Sequence, residues 1–162
     1  MTVAVISVLD LVEARLKLIT TTNGYNTGLK SIKRAKLTPF KGHDLPAINY
    51  WSTGIENVID EYGKDARSIP LFVEYHTTTR DDAFLDTVSE LAADIVTAIN
   101  RATTKPKVAD GPSYNLGDKV SDVIFEGYDH EIGEGQTPWC GVLVRFRIVF
   151  STDIFDMASY AQ

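Results

Sequence analysis

Two short groups of residues in this 162-residue chain carry side chains suited to acid–base or metal chemistry. In the first group, LFVEYHT, Glu74 and His76 are two residues apart, so a strand would place both side chains on one face. A carboxylate beside an imidazole can orient a general base or hold a divalent cation. A histidine that packs or faces solvent is far more frequent in a strand, and we expect that role for His76.

The second group is YDHEIGE, which contains Asp129, His130, Glu131 and Glu134. Its composition is that of metal ligands, but its spacing is not the H-E-x-x-H pattern that places two imidazoles on one helix face. It also lies where a predicted strand runs into a loop. We therefore expect no metal ion here, and we keep open the alternative of a small enzyme or metal-binding domain that uses His76 or this group.

The other features that would support catalysis are weak. Cys140 is the only cysteine, so it cannot form an internal disulfide or a multi-thiolate metal site. A nucleophilic cysteine needs a histidine base, and we expect a structural thiol instead. The GEG sequence lacks the order of strand, glycine loop and helix that forms a phosphate site. The sequence therefore predicts no enzyme, no catalytic residues and no cofactor.

The chain is acidic overall, with 16 Lys and Arg residues against 22 Asp and Glu residues and a formal net charge of −6. That sign is opposite to the one expected of a tight DNA-binding protein. A basic cluster nevertheless lies in LKSIKRAKLTPFK and comprises Lys30, Lys33, Arg34, Lys36 and Lys41. It is either a solvated strand face that discourages edge pairing or a patch that meets the acidic surface of another copy.

The spacing of apolar residues predicts two helices that must help to position these side chains. Spacings of three and four indicate a first helix over residues 3–20. Its apolar stripe comprises Ile6, Leu9, Val12, Leu16 and Ile19. A longer helix is predicted over residues 81–103, where Asp81 and Asp82 would accept backbone N–H groups at the helix start.

Alternating and β-branched residues predict a set of strands. These strands cover residues 29–37, 44–54, 69–77, 120–131 and 139–151. Between them, residues 55–65 favour a helical turn or an irregular segment. The Pro- and Gly-rich residues 105–119 favour an exposed loop, which we expect to be available for partner contacts.

The last predicted strand has two different faces. Its apolar face comprises Val142, Val144, Phe146, Ile148 and Phe150. Its other face carries Arg145 and Arg147 beside Leu143 and Val149, so the protein's own helices should not bury it fully. We expect another subunit or partner to cover this face in an assembly.

These elements indicate an α+β fold, with helices packed on one face of a mainly antiparallel sheet. One domain is predicted over residues 1–152, followed by a C-terminal tail over residues 153–162. No apolar run reaches the roughly 18 residues that a membrane-spanning helix needs, so no membrane contact is expected. The first residues also lack a secretory leader pattern, which points to assembly in a cytoplasm.

The order of these elements, with three short motifs, resembles the tail terminator proteins of long-tailed bacteriophages. The motifs are LPAI at residues 45–48, DDAF at residues 81–84, and Arg145-x-Arg147 in the last strand. This family is also called the tail completion proteins, and related subunits occur in phage-derived contractile particles. The resemblance covers most of residues 1–152.

The resemblance implies a structural virion protein, located in the tail or neck and assembled in the host cytoplasm. Its subunits would form a ring with copies of themselves, usually a hexamer, on the end of the tail tube. That ring would end tail growth and contact the tail tube protein and a neck or head-completion protein. DNA would pass through the pore without tight binding, and from the net charge we expect an acidic or neutral pore.

Charge asymmetry predicts which residues contact the next subunit. A closed head-to-tail ring needs two different, complementary patches on each subunit. The interface candidates are Lys30, Lys33, Arg34, Lys36, Lys41, Arg145 and Arg147. Another ring protein of the head–tail junction would share the same size, acidity and lack of catalysis, and it remains the alternative within this class.

Overall fold

The computed structural model describes residues 4–59, 65–78, 84–100, 116, 120–133, 139–153 and 156–160. Within these residues it has two complete α-helices and seven strands, together with 3-10 turns at Thr21–Asn23 and Gly42–Asp44. The helices are α1 (Ala4–Leu16) and α2 (Phe84–Asn100). The strands are β1 (Ser31–Arg34), β2 (Ala47–Ser52), β3 (Glu56–Ile59), β4 (Asp65–Thr78), β5 (Asp122–Gly133), β6 (Trp139–Asp153) and β7 (Asp156–Tyr160).

The main sheet has the strand order β1-β2-β4-β6-β5. Strand β1 is parallel to β2, and the other neighbours in this order are antiparallel. Strand β3 pairs with the start of β4, beyond the end of β2, and β7 pairs with the end of β6. The predicted α+β class is confirmed, and the expected antiparallel sheet is correct except for the parallel pair at one edge.

Both helices pack on one face of this sheet, which we call the covered face. The side chains of β6 that point there are fully buried, as their alternation predicted: Val142, Val144, Phe146, Ile148 and Phe150. They join one apolar core with residues from α1, α2, β2 and β4. Burying a large apolar side chain contributes about 1.5–3 kcal/mol, so this layer is a main source of stability.

A buried carboxylate ties α2 to the turn that follows α1. Asp94 is 4% exposed, and its Oδ1 accepts hydrogen bonds from the backbone N–H and the side-chain amide of Asn26. Its Oδ2 accepts from the backbone N–H and the hydroxyl of Thr27, each at 3.0 Å. Tyr75 from β4 also donates to the Thr27 hydroxyl. This network holds helix, turn and sheet together, and the sequence pattern did not reveal it.

Helix α1 differs in detail from its prediction. It ends at Leu16, and Val8 is buried where the predicted stripe had Ile6, which is 44% exposed. Ile19 is buried, but it lies in the turn after the helix. Four of the five predicted stripe residues are therefore buried, and the buried side of α1 comprises Ala4, Val8, Leu9, Val12 and Leu16.

Part of the segment predicted as a helical turn or an irregular segment is a strand. Residues 56–59 form β3, which pairs with residues 65–68 of β4. Because β4 extends beyond β2 at this end, its backbone groups need another partner, and the nearest chain segment supplies it. At the C-terminus, residues 156–160 of the predicted tail form β7 against β6.

Several predictions lie outside the described residues. They concern Asp81 and Asp82 at the start of the second helix, and most of the predicted loop at 105–119. Within that loop Leu116 is described, and it is buried in the core. Among the described residues, no helix is long and apolar enough to cross a membrane.

Candidate functional site

The face of the sheet opposite the helices, here called the open face, brings together the two groups singled out from the sequence. His76 on β4 lies opposite Gly141 on β6, and Gly141 lies opposite Glu131 on β5. Residues paired in this way point to the same face of a sheet. Because Gly141 has no side chain, the Glu131 side chain can reach across β6 towards β4.

Glu74, His76 and Glu131 form a compact triad on this face. Each side chain offers one ligand atom, and these atoms all lie within 4.8 Å of one another. The His76 Nε2 atom is 3.0 Å from Glu74 Oε1, and the side chains are 15% and 24% exposed. The predicted placement of Glu74 and His76 on one face of the strand is therefore correct. The sequence did not predict that Glu131 joins them, because that depends on the register of β5 and β6.

The two carboxyl groups of the triad have pKa values shifted in opposite directions. The pKa of Glu74 is lowered, mainly by its hydrogen bond with His76 and against the opposing effect of burial. The pKa of Glu131 is raised, first by burial and next by the negative charge of Glu74. Two carboxyl groups and one imidazole thus share a partly desolvated space, where like charges are costly.

A concavity borders the triad on the side of β2. Its volume is about 560 Å³, and Glu74 and His76 form part of its wall. The rest of the lining comes mainly from the segment between β1 and β2, namely Lys36, Leu37, Thr38, Pro39, Phe40, Gly42 and Leu45. The Phe40 ring lies 6.0 Å from the His76 ring, measured between centroids.

Asn49 attaches this segment to the sheet. Its Oδ1 accepts a hydrogen bond from the Lys36 backbone N–H at 2.8 Å, and its Nδ2 donates to the Lys36 carbonyl. The same Nδ2 lies 3.5 Å from Glu74 Oε2. One buried amide therefore positions both the wall of the concavity and a carboxylate of the triad.

The side chains of the second group, in YDHEIGE, do not all point to one face of the sheet. Alternation along β5 places Asp129 and Glu131 on the open face and His130 on the opposite side, near Phe84 and Tyr128. Glu134 lies outside the described residues. Cys140 is buried, and burial raises the pKa of its thiol, which agrees with the structural role expected for it.

The basic cluster lies at the β1 edge of the sheet, and its members differ. Lys30, Lys33 and Lys41 are exposed. Arg34 turns inward and donates to Tyr50, Asp10 and Glu13. Lys36 Nζ donates to the Thr38 carbonyl and hydroxyl and to the Pro39 carbonyl. Three of the five candidates therefore present free charge to solvent at this edge.

The opposite edge of the sheet, β5, is acidic. Its exposed acids are Asp122, Glu126 and Asp129, and residues 122–131 contain no Lys or Arg. Arg145 pairs with Asp129, and Arg147 pairs with Glu126 at 2.7 Å and with Glu56 at 2.9 Å. The two arginines predicted on the open face are thus there, and each binds acids of neighbouring strands.

No protein-family model matches this sequence, and no curated protein is significantly similar to it. The geometry of the two edges and of the triad is therefore the basis for any functional conclusion.

Proposed function

We propose that this chain is a structural subunit of a phage tail terminator ring, which caps the tail tube and forms its interface to the neck. The observation that supports the proposal best is the opposite charge of the two edges of the sheet. Lys30 and Lys33 are exposed at the β1 edge, and Lys41 is exposed in the segment that follows β1. The β5 edge exposes Asp122 and Glu126, and Glu126 is paired with Arg147 of β6. A head-to-tail contact joins two such unlike patches and can close into a ring.

Both edges also expose apolar side chains, which protein interfaces need in addition to charge. Leu37, next to the β1 edge, is 97% exposed. At the other edge, Ile124, Phe125 and Tyr128 are each at least 40% exposed. An interface with these apolar side chains at its centre and the opposite charges at its rim would be both stable and directional.

Backbone geometry gives the β5 edge a further capacity for association. In the described part of the chain, β5 pairs only with β6, and β1 pairs only with β2. An unpaired edge strand presents N–H and C=O groups to another chain. A neighbouring subunit that binds along β5 would cover these groups, together with the charged margin of the open face.

The proposed ring would contact the tail tube protein on one side and a neck or head-completion protein on the other. DNA would pass through its pore without tight binding. From the net charge of −6 we expect an acidic or neutral pore. An acidic pore would repel the phosphates of DNA. A neck ring other than the terminator would use the same two edges, and binding to tail tubes separates these functions.

Negative-stain electron microscopy of the purified chain, alone and with isolated tail tubes, tests the proposal. We expect rings that cap tube ends at low and moderate salt. Salt of about 1 M, where the Debye length is roughly 3 Å, should weaken the contact between subunits. Chains that stay monomeric and ignore tube ends would overturn the terminator function, and rings that ignore tubes would favour another neck position.

Charge reversal at the two edges tests the interface itself. The variant Lys30→Glu, Lys33→Glu, Lys41→Glu should prevent ring formation, as should Asp122→Lys, Glu126→Lys. The combination of all five changes restores complementary charges and should restore rings. Glu90→Lys, an exposed change on α2, is the control for a charge reversal elsewhere. Ring formation that is unaffected by either single-edge reversal would contradict the proposed contact.

A further inference from the structure

We propose that Glu74, His76 and Glu131 bind a first-row divalent transition-metal ion, with Zn²⁺ as the best fit. This inference does not rest on the proposed ring, because the triad forms within one chain. The sequence pattern favoured no metal, because the second group lacks the H-E-x-x-H spacing and a packed or solvent-facing role was expected for His76. The register of β4, β6 and β5 brings members of both groups together.

The distances in the triad suit a single ion. Two ligands of one tetrahedral Zn²⁺ ion, each about 2.1 Å from the metal, lie roughly 3.4 Å apart. His76 Nε2 and Glu74 Oε1 are 3.0 Å apart, and the three ligand atoms lie within 4.8 Å. Because two ligands that are each about 2.1 Å from one ion lie at most about 4.2 Å apart, the Glu131 side chain would rotate to bring its oxygen to the remaining corner.

The types of ligand select the class of metal. One imidazole nitrogen and two carboxylate oxygens match the donor set that zinc accepts, whereas Mg²⁺ and Ca²⁺ prefer sites built from oxygen alone. Three protein ligands leave one position of a tetrahedral ion for water or an external ligand. Because Glu74 and His76 line the 560 Å³ concavity, that position would be accessible from it.

The scaffold holds these ligands in place. Glu74 and His76 lie on β4, which is hydrogen-bonded on both sides within the sheet. Asn49 Nδ2 lies 3.5 Å from the second oxygen of Glu74, where it can orient the carboxylate. The Phe40 ring lies beside the imidazole, 6.0 Å away between ring centroids.

The charges near the triad favour a cation. Lys36, which lines the same concavity, directs its ammonium group to oxygens of Thr38 and Pro39. Arg145, on the neighbouring row of β6, pairs with Asp129. The two carboxyl groups of the triad therefore face one imidazole in a half-buried position. A divalent ion would neutralise them and remove the cost of keeping two acids close together.

Zinc binding by the untagged, EDTA-treated chain tests the site. Isothermal titration and elemental analysis should give one Zn²⁺ per chain. Glu131→Gln and His76→Gln should each weaken binding by more than the roughly 10–100-fold that loss of an outer-shell partner costs, and Asn49→Ala should fall within that range. His130→Gln, on the opposite side of the same strand, is the matched control and should bind as the wild type does.

Two further readouts keep the test decisive if a variant folds poorly. The wild-type chain loaded with Co²⁺ should show the intense visible absorption of a four-coordinate site with nitrogen and oxygen ligands, and Zn²⁺ should displace it. Zn²⁺ should also raise the Tm of the wild type and of His130→Gln, but not that of Glu131→Gln. A wild-type chain that takes up no metal, or uptake unchanged by Glu131→Gln and His76→Gln, would overturn the inference.

Discussion

The covered and open faces of this sheet are built from the same strands, yet they have opposite characters. On β6, Phe146 and Ile148 point to the helices and are fully buried, whereas Arg145 and Arg147, which alternate with them, are paired with acids near solvent. On β4, Val73 and Tyr75 are buried, and Glu74 and His76 form the triad. The covered face contributes the buried apolar side chains, and the open face carries the charged and titratable ones.

The difference follows from the alternation of side chains in a strand and from the placement of both helices on one side. A strand whose two faces were buried would read as a continuous apolar run. Here each central strand alternates, so charged and titratable side chains collect on the open face without disturbing the core. The four predictions that follow test this division, from the largest expected effect to the smallest.

Truncating a large side chain on the covered face should lower the free energy of unfolding the most. Phe146→Ala removes a fully buried ring, and the free energy of unfolding should fall by about 3–5 kcal/mol. Phe72→Ala is the matched change on the open face, where the ring is half-buried and stacks on Trp51 at 5.6 Å. It should cost about 1–2 kcal/mol. Urea denaturation measures both, and equal losses would contradict the division between the faces.

Removing the buried carboxylate of Asp94, on helix α2, should cause the next largest loss in the free energy of unfolding. Asp94→Ala leaves the donors of Asn26 and Thr27 without their acceptor, and we expect a loss of about 2–4 kcal/mol. Glu90→Gln, an exposed change on the same helix, should alter the free energy of unfolding by less than about 0.5 kcal/mol. A loss no larger than that of the control would show that the turn is held by other contacts.

Glu13, at the margin of the covered face, should make the free energy of unfolding vary with pH in the acid range. Its pKa is lowered from 4.5 to about 2, mainly by hydrogen bonds with Lys17 and with Tyr50. Because the folded-state pKa is the lower one, this stabilisation is complete above pH 4.5 and is lost as the pH falls towards 2. Glu13→Gln should flatten the stability curve in that range. A wild-type curve already flat between these pH values would contradict the prediction.

The ion pairs of the open face should contribute least to the free energy of unfolding. A double-mutant cycle with Arg145→Gln and Asp129→Asn should give a coupling energy of about 0.2–1 kcal/mol, because both side chains are well exposed. The coupling should shrink at high salt. A coupling above about 2 kcal/mol would mean that the open face also holds the fold together.

Much of the fold could be predicted from local pattern. The alternation in residues 139–151 predicted which side chains of β6 are buried, and the spacing of apolar residues predicted the long helix, observed over Phe84–Asn100. Local pattern did not predict the structure where the sequence was compatible with two alternatives. Ile6 and Val8 both fit an apolar stripe of α1, and residues 56–59 had no strong preference of their own.

Gly127, at the irregularity of β5, is a single residue whose role the sequence did not predict. The register shifts between Phe125 and Gly127, and Gly127 has φ of 123°, a conformation that side chains rarely adopt. The sequence contains this glycine, but only the pairing with β6 explains why a glycine is needed there. With the shift, Phe125 and Tyr128 lie opposite Phe146 and Val144 on the covered face, where each is at least 40% exposed at the edge of the sheet.

The amino-acid sequence by itself determined the α+β class, the polar and apolar faces of the central strands, and the placement of Glu74 and His76 on one strand face. These depend on periodicities of two or 3.6 residues, which any reader of the chain can detect. Tertiary structure alone decided that Glu131 joins them across Gly141, that Asp94 closes a network with Asn26, and that basic and acidic residues lie at opposite edges. Those relations arise from strand order and register, which depend on contacts between distant segments and leave no local periodic signal.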